Sequence, residues 1–314
     1  MKSQFGWRRI AAGYIVLPTA ALMIAAGVLG FAQEGLRPRS AEQPVPAKPF
    51  HIIGNIYYVG QTDNSLSGSD DAAYLITTPE GHILLNSALE RHTYQIPANI
   101  RRLGLRPEDV KFLLHSHSHS DHVGGDAMLK KEIPGLAILA TGGDAAVMAS
   151  GGKTDFDPHR RNPGFTPVKV DRILKDGEKI QLGGTTLVAH LTAGHTEGCT
   201  TWTMAVEDGG RKYDAVFVCS SGYHPGVALK NELYPKMVED FLKTFRTLKS
   251  LHAEVYLPAH GAAGGLVEKA KLLEQGASPN PFIDPAGYKA AIDQMEKTFL
   301  AEMKKQGVPL PAGY

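Results

Sequence analysis

Four strong metal ligands stand within six residues of this chain, in the run His117-Ser118-His119-Ser120-Asp121-His122. Imidazole nitrogens and a carboxylate suit zinc, and so dense a cluster serves two ions only if further ligands arrive from elsewhere in the fold. Two histidines qualify: His195 in TAGHTEG and His260 in LPAHG. Each ends an apolar, strand-like run, as the cluster itself follows VKFLL. An α/β architecture places functional groups at such strand ends, so these positions constrain the fold as well as the chemistry.

With 43% hydrophobic residues over 314 positions, the chain can bury a substantial core. Lys plus Arg total 33 against 32 for Asp plus Glu, which leaves no basic excess for nucleic acid or an anionic membrane surface. The expected partner is a small-molecule substrate, with no nucleic acid and no obligate protein partner; the oligomeric state is not legible. At the N-terminus, Lys2, Arg8 and Arg9 precede an apolar run from Ile10 to Ala32, and the small residues of GFA stand before Gln33. This pattern predicts an export signal over residues 1–32, cleaved after Ala32, and an exported, periplasmic protein. The run of about 23 residues is also long enough to cross a bilayer, so a retained membrane anchor is the alternative. Residues 33–48, QEGLRPRSAEQPVPAK, read as a flexible leader, and 49–314 as one domain.

Strands are expected at FHIIGNIYYVG, AAYLITT and HILLNSA, with TPEG turning between the last two. A helix near Thr93 to Leu103, the strand VKFLL, and a helix whose first turn lies near Val123 to Ala127 follow. LAILA then leads into a helix at GDAAVMAS. Strands at TTLVAHLT, CTTWTMAV and YDAVFVCSS come next, the last two joined by a turn at EDGGRK. A helix from about Tyr234 to Leu251, with Pro235 in its first turn, carries a stripe of Val238, Leu242, Phe245 and Leu248. A last helix from about Ala286 to Lys305 carries Tyr288, Ile292, Met295, Phe299 and Met303, a core-packing stripe. The order predicts an α/β fold of two mixed sheets packed face to face with helices outside.

These residues resemble the metallo-β-lactamase superfamily and, more closely, its subclass B3 β-lactamases. The resemblance runs from about Phe50 to Gly307 and rests on SHSHSDHVGG, AHLTAGHTEGCTTWT, VFVCSSGYHPG, LPAHG and the tail GASPNPFIDPAGY. It implies a four-layer αβ/βα sandwich and two zinc ions per chain. His117, His119 and His195 would hold the first zinc, and Asp121, His122 and His260 the second. It implies a zinc-dependent hydrolase that opens the amide bond of β-lactam antibiotics by attack of a zinc-bridging hydroxide, with Asp121 both a ligand and a catalytic group that orients the hydroxide. Ser220 matches a position that contacts the substrate carboxylate, and Ser221 and His224 are further substrate-binding candidates. Two other functions remain: an exported lactone or ester hydrolase of the same fold, and a metal-binding scaffold without turnover.

The chain departs from the family pattern at named positions. Cys219, Ser220 and Ser221 follow YDAVFV, where thioester hydrolases of the superfamily carry a bridging aspartate; this favours the β-lactamase reading. Asn86-Ser87 stands after HILL in place of an Asp-Gly, which leaves open the affinity for the second zinc. Ala193 replaces a common proline. His115 and His190 read as structural hydrogen-bonding residues; His51, His82, His92, His159 and His252 carry no functional signal. Residues 61–71 and 151–167 are rich in Gly, Pro, Asp and Ser and are expected to wall the cleft. Phe156 and Phe165 either contact substrate or pin the second of these loops. The two cysteines, Cys199 and Cys219, are either separate buried thiols or a disulfide. If Val206 pairs with Tyr213, the hairpin puts Cys199 within one residue of facing Cys219, which favours the disulfide.

Overall fold

A computed structural model describes residues 48–60, 72–161, 164–220 and 222–311. The segment expected to be an export signal, nearly all of the expected leader, residues 61–71 and Ser221 lie outside the described residues. Strands β1 (Phe50–Ile53), β2 (Ile56–Tyr58), β3 (Tyr74–Thr78), β4 (Gly81–Leu85), β5 (Val110–Leu114), β6 (Ala137–Thr141) and β7 (Arg172–Leu174) lie side by side in sequence order. Pairing is antiparallel from β1 to β4 and parallel from β4 to β7. The second sheet holds β8 (Lys179–Leu182), β9 (Thr185–Leu191), β10 (Thr200–Asp208), β11 (Arg211–Val218) and β12 (Val255–Pro258), ordered β12-β11-β10-β9-β8. Only β11 and β12 are parallel there, so β9, β11 and β12 run the same way and end on the same edge.

The layers follow from the two-residue period of a strand. Tyr74, Ile76, Ile83, Leu85 and Leu114 point into the core between the sheets, where they meet Leu187, Trp202, Met204, Phe217 and Leu257. Their sequence neighbours Leu75, Leu84 and Leu113 point outward, against Ile96 and Ile100 of α1 (Gln95–Arg102) and Leu129 of α3 (Asp126–Glu132), which follows the one-turn α2 (Ser120–Val123). Met148 of α4 (Gly142–Ser150) joins the same outer layer. On the far side, Val216 and Val218 pack on Leu248 of α5 (Met237–Ser250), with Tyr288 and Ile292 of α7 (Pro285–Lys305). Strands buried on both faces must be apolar throughout, which is why VKFLL and DAVFV read as continuous runs. Each fully buried Leu, Ile or Phe contributes about 1.5–3 kcal/mol relative to exposure.

Several expectations need correction. FHIIGNIYYVG is two strands, because Gly54 takes a left-handed φ of 53° and reverses the chain with Asn55. A Cβ at Gly54 would also stand 2.5 Å from the Glu207 carbonyl oxygen. The helix placed near Val123 is two short helices, and α2 begins at Ser120, so Asp121 and His122 sit in a helical turn. Gly125 divides them: a Cβ there would lie 2.1 Å from Thr93 Oγ1. α5 begins at Met237, so Pro235 belongs to the turn before it rather than to its first turn. Strands β7 and β8 and the helix α6 (Leu266–Glu274) were not expected at all. The hairpin register was: Val206 pairs with Tyr213, and the structure joins Cys199 to Cys219 across a Cα–Cα distance of 5.8 Å.

Candidate metal centre

Loops leaving β5, β9 and β12 bring the six expected ligands together at the C-terminal ends of their strands. His117, His119 and His195 offer ligand atoms within 4.8 Å of one another, as do His117, Asp121 and His122. His260 completes the second group, its Nε2 3.3 Å from His122 Nε2 and 3.9 Å from Asp121 Oδ2. Among the described residues a third trio, Asp214, His252 and Glu254, lies at the surface. There His252 Nδ1 is 2.6 Å from Asp214, and Arg211 pairs with Glu254, so these groups are already engaged.

Hydrogen bonds fix the ligand orientations. The Gly222 carbonyl, 2.7 Å from His195 Nδ1, can only accept, so Nδ1 carries the proton and Nε2 turns its lone pair toward His119 Nδ1, 3.2 Å away. His119 Nε2 faces Asp155 Oδ2 at 3.5 Å, which favours the proton on that side. Two imidazole lone pairs then face each other, an arrangement a cation between them satisfies. Ser116 Oγ is 3.1 Å from His117 Nδ1. His117 Nε2, His122 Nδ1 and Asp121 Oδ1 are buried with no hydrogen-bond partner. Such orphaned atoms are costly unless something binds them, so the donor set fits metal ions.

Burial drives His117 and His119 well below the ordinary imidazole range, and the neighbouring histidines deepen the effect. His122 and His195 fall to about 3, again chiefly by burial; Asp121 offsets part of this for His122, and the Gly222 carbonyl offsets part for His195. Burial pushes the Asp121 carboxyl up, but His122, His260 and Arg160 outweigh it and hold it below its usual value. All these histidines are therefore in the neutral, ligating form at neutral pH.

Buried carboxylates brace the loops, and sequence reasoning missed them. Asp144, near the start of α4, accepts from Ser118 Oγ at 2.9 Å, from Gly198 N at 3.2 Å and from Thr196 Oγ1 at 3.2 Å. One side chain thus ties the loop of His117 and His119 to the loop of His195. Asp126 accepts from Ser87 Oγ at 2.7 Å and stands 3.0 Å from His115 Nε2, the structural role expected for His115. His190 likewise lies 2.8 Å from Thr203 Oγ1. Lone aspartates in unremarkable surroundings gave no pattern to find.

The departures from the family pattern have local explanations. Asn86 takes a φ of 65°, a conformation Asn tolerates better than most residues. Its Oδ1 accepts from Ser116 N at 2.9 Å and Ser116 Oγ at 3.0 Å, and its Nδ2 donates to the Ala72 carbonyl at 3.1 Å. The amide therefore supports the ligand loop. Ala193 is accommodated, its carbonyl accepting from Thr244 Oγ1 at 2.7 Å.

Of the substrate-binding candidates, Ser220 is buried, its Oγ accepting from Gly222 N at 3.1 Å. His224 is partly exposed at the rim, 6.5 Å from the His195 ring, with Nδ1 3.3 Å from Asp157 Oδ2. Ser221 is outside the described residues. Phe156 stacks edge-on against Tyr234 at 5.1 Å and lines a small cavity beside His195 with Tyr223 and Val227. Phe165 is buried in the outer core beneath Gly151 and Gly152, so it pins the loop.

The metallo-beta-lactamase superfamily model matches residues 70–260. Among solved structures, the FEZ-1 metallo-beta-lactamase from Legionella gormanii is 43% identical, with a TM-score of 0.79, covering 85% of this chain and 99% of that one. BJP-1, a subclass B3 metallo-beta-lactamase of Bradyrhizobium japonicum, is 35% identical with a TM-score of 0.76, over 85% of this chain and 97% of that one. A probable metallo-hydrolase of Burkholderia pseudomallei is 29% identical over 35% of this chain and 35% of its own length. The chain spans well under half the length of the curated relatives it matches, between 32% and 45%.

Proposed function

Because the chain belongs to the metallo-β-lactamase superfamily, with subclass B3 enzymes among its structural neighbours, we propose that it hydrolyses the amide bond of β-lactams with two zinc ions. His117, His119 and His195 would hold the first ion, and Asp121, His122 and His260 the second. Zinc in such a site lowers the pKa of water to about 7 and polarises a carbonyl oxygen.

The observation that carries this reading is the end of β11. Cys219 is bonded to Cys199 there and Ser220 follows, so no carboxylate intrudes between the two ligand sets at that position. That leaves room and positive charge for a bulky bicyclic substrate. The Gly222 carbonyl keeps His195 in one tautomer, Ser116 holds His117, and the unpartnered Asp121 Oδ1 is placed to accept a hydrogen bond from the attacking water. Ser220 and His224 receive the substrate carboxylate, and Phe156 offers an apolar contact beside His195.

The test is hydrolysis of nitrocefin by purified protein, before and after dialysis against EDTA, beside a lactone panel. Metal-dependent nitrocefin turnover, indifferent to clavulanate, supports the reading; lactone activity alone supports the ester-hydrolase alternative. Export with cleavage after Ala32 is part of the same proposal, checked by N-terminal sequencing of protein from a periplasmic fraction.

A further inference from the structure

The segment from Gly222 to Tyr234 carries no helix or strand, yet it bears His224, whose ring stands 6.5 Å from that of His195. Its sequence dictates its first turn, His224-Pro225-Gly226-Val227. Proline presets φ at the second position of a type II turn, and glycine supplies the positive φ of the third. Gly226 has a φ of 92°, and Val227 N donates to the His224 carbonyl at 3.3 Å. His224 therefore opens a closed turn, and what holds Val227 also holds His224.

That hold comes from a residue 79 positions further along the chain. Helix α7 is closed by a left-handed Gly307 with a φ of 64°, whose N donates to the Lys304 carbonyl at 3.2 Å, while Val308 N donates to the Met303 carbonyl at 2.9 Å. This paired closure fixes the backbone of Gln306, the residue that caps the helix. Gln306 Nε2 donates to the Val227 carbonyl at 3.0 Å and to Tyr223 Oη at 3.0 Å, and its Oε1 accepts from Leu229 N at 2.8 Å. Tyr223 Oη itself donates to the Val227 carbonyl. One carboxamide thus grips the residue before His224, the end of its turn and the residue two beyond. Glu302 Oε1, 2.8 Å from the same Nε2, shares its protons and holds the amide in this orientation. Beneath the turn, Val227 and Leu229 pack with Phe241 and Phe299. Such apolar contact is non-directional; the hydrogen bonds fix where the turn sits.

The other end of the segment is anchored independently. Cys219 is bonded to Cys199, Gly222 N donates to Ser220 Oγ at 3.1 Å, and the Gly222 carbonyl engages His195. We propose that Gln306 is a positioning residue for substrate: it fixes the turn that presents His224 at the mouth of the centre, while the Gly222 end serves the metal ligand. The consequence for substrate rests on the hydrolase reading above; the clamp itself rests on the hydrogen bonds alone.

The test compares the zinc-loaded full chain with Gln306→Met, which keeps the side-chain volume without the hydrogen bonds, and with Gln306→Ala. Amide hydrogen exchange over residues 222–229 should quicken about tenfold in both variants, with exchange over β9 and β10 unchanged. KM for nitrocefin should rise about tenfold, with kcat within about threefold of wild type and the zinc content unchanged. Melting temperature checks that the fold is intact. Wild-type exchange over 222–229 in Gln306→Met overturns the clamp, because packing alone would then hold the turn. Faster exchange with an unchanged KM overturns the positioning role, and so does loss of zinc or a fall in kcat that matches the rise in KM, which would make Gln306 a support of the metal centre. If wild type does not hydrolyse nitrocefin, the hydrolase reading fails separately, and the exchange comparison still decides whether Gln306 holds the turn.

Discussion

His117, His119 and His195 are buried; Ser116 and the Gly222 carbonyl hydrogen-bond the rings of His117 and His195, and His119 Nε2 faces Asp155 at 3.5 Å without a hydrogen bond. Asp144 ties their two loops together from behind. Both groups carry unpartnered buried atoms, but in the second group Asp121 and His260 keep side-chain exposures of 16% and 24%. Asp121 and His122 ride on a helix of four residues. The first half of the centre is thus preorganised, while the second is more open and gains more of its order when metal binds. Preorganisation lowers the ordering cost of binding, so the first site should bind zinc more tightly than the second.

Removing one ligand from each half tests this contrast with the largest effect. A catalytic metal supplies several kcal/mol, so His195→Ala and His260→Ala should each lower kcat/KM by about a thousandfold or more. Metal analysis should separate them: His260→Ala keeps one tightly held zinc, whereas the zinc left in His195→Ala is lost on mild dialysis. Equal retention in the two variants would break the contrast.

Next in size is the disulfide, which links the loop after His195 to the end of β11. Closing a loop with a sequence separation of 20 is worth about 3 kcal/mol, so replacing both cysteines by serine should cost about that much in urea unfolding. An unchanged midpoint would show that the bond braces nothing. The brace at Asp144 ranks below it. Asp144→Ala should weaken zinc at the first site about 10- to 100-fold and leave the second nearly untouched, as competition with a chelator would reveal. A loss shared by both sites would show that Asp144 supports the whole fold rather than one half.

Acid stability without metal tests the buried, neutral state of the ligands themselves. An unfolded histidine takes a proton below about pH 6.5, whereas His122 and His195 stay neutral in the fold down to about 3. The unfolded chain then binds more protons in that window, so stability is fully present above 6.5 and is lost as pH falls toward 3. Each such histidine adds up to about 1.4 kcal/mol per pH unit. Urea midpoints of the metal-free protein that stay flat between pH 6.5 and 5 would contradict the buried, neutral assignment.

What could be read in advance follows the same division between local and tertiary causes. The six ligands were legible because such residue types rarely cluster, and each stands at the end of an apolar run. The sheets were legible from continuous apolar runs such as DAVFV, and the Val206–Tyr213 register from the turn between them. The braces were not. Asp126, Asp144 and Asp155 acquire their roles only when loops distant in sequence meet, and an aspartate at the start of a helix looks like a cap. Strands β7 and β8 escaped notice because KVDRILKDGEKIQL mixes charge with apolar residues, as suits strands at the edges of their sheets. Asn86 was visible as a departure, but its supporting hydrogen bonds depend on Ser116 and Ala72, far along the chain.

The central claim is a β-lactam hydrolase whose two zinc sites differ in preorganisation. Stepwise zinc titration of the metal-free full chain, with bound zinc and nitrocefin hydrolysis followed together, addresses it most directly. The account predicts two zinc ions per chain, the first bound more tightly than the second, and hydrolysis that appears only as zinc is added. Hydrolysis at full rate before any zinc is bound, or saturation in one step with no turnover at all, would contradict it.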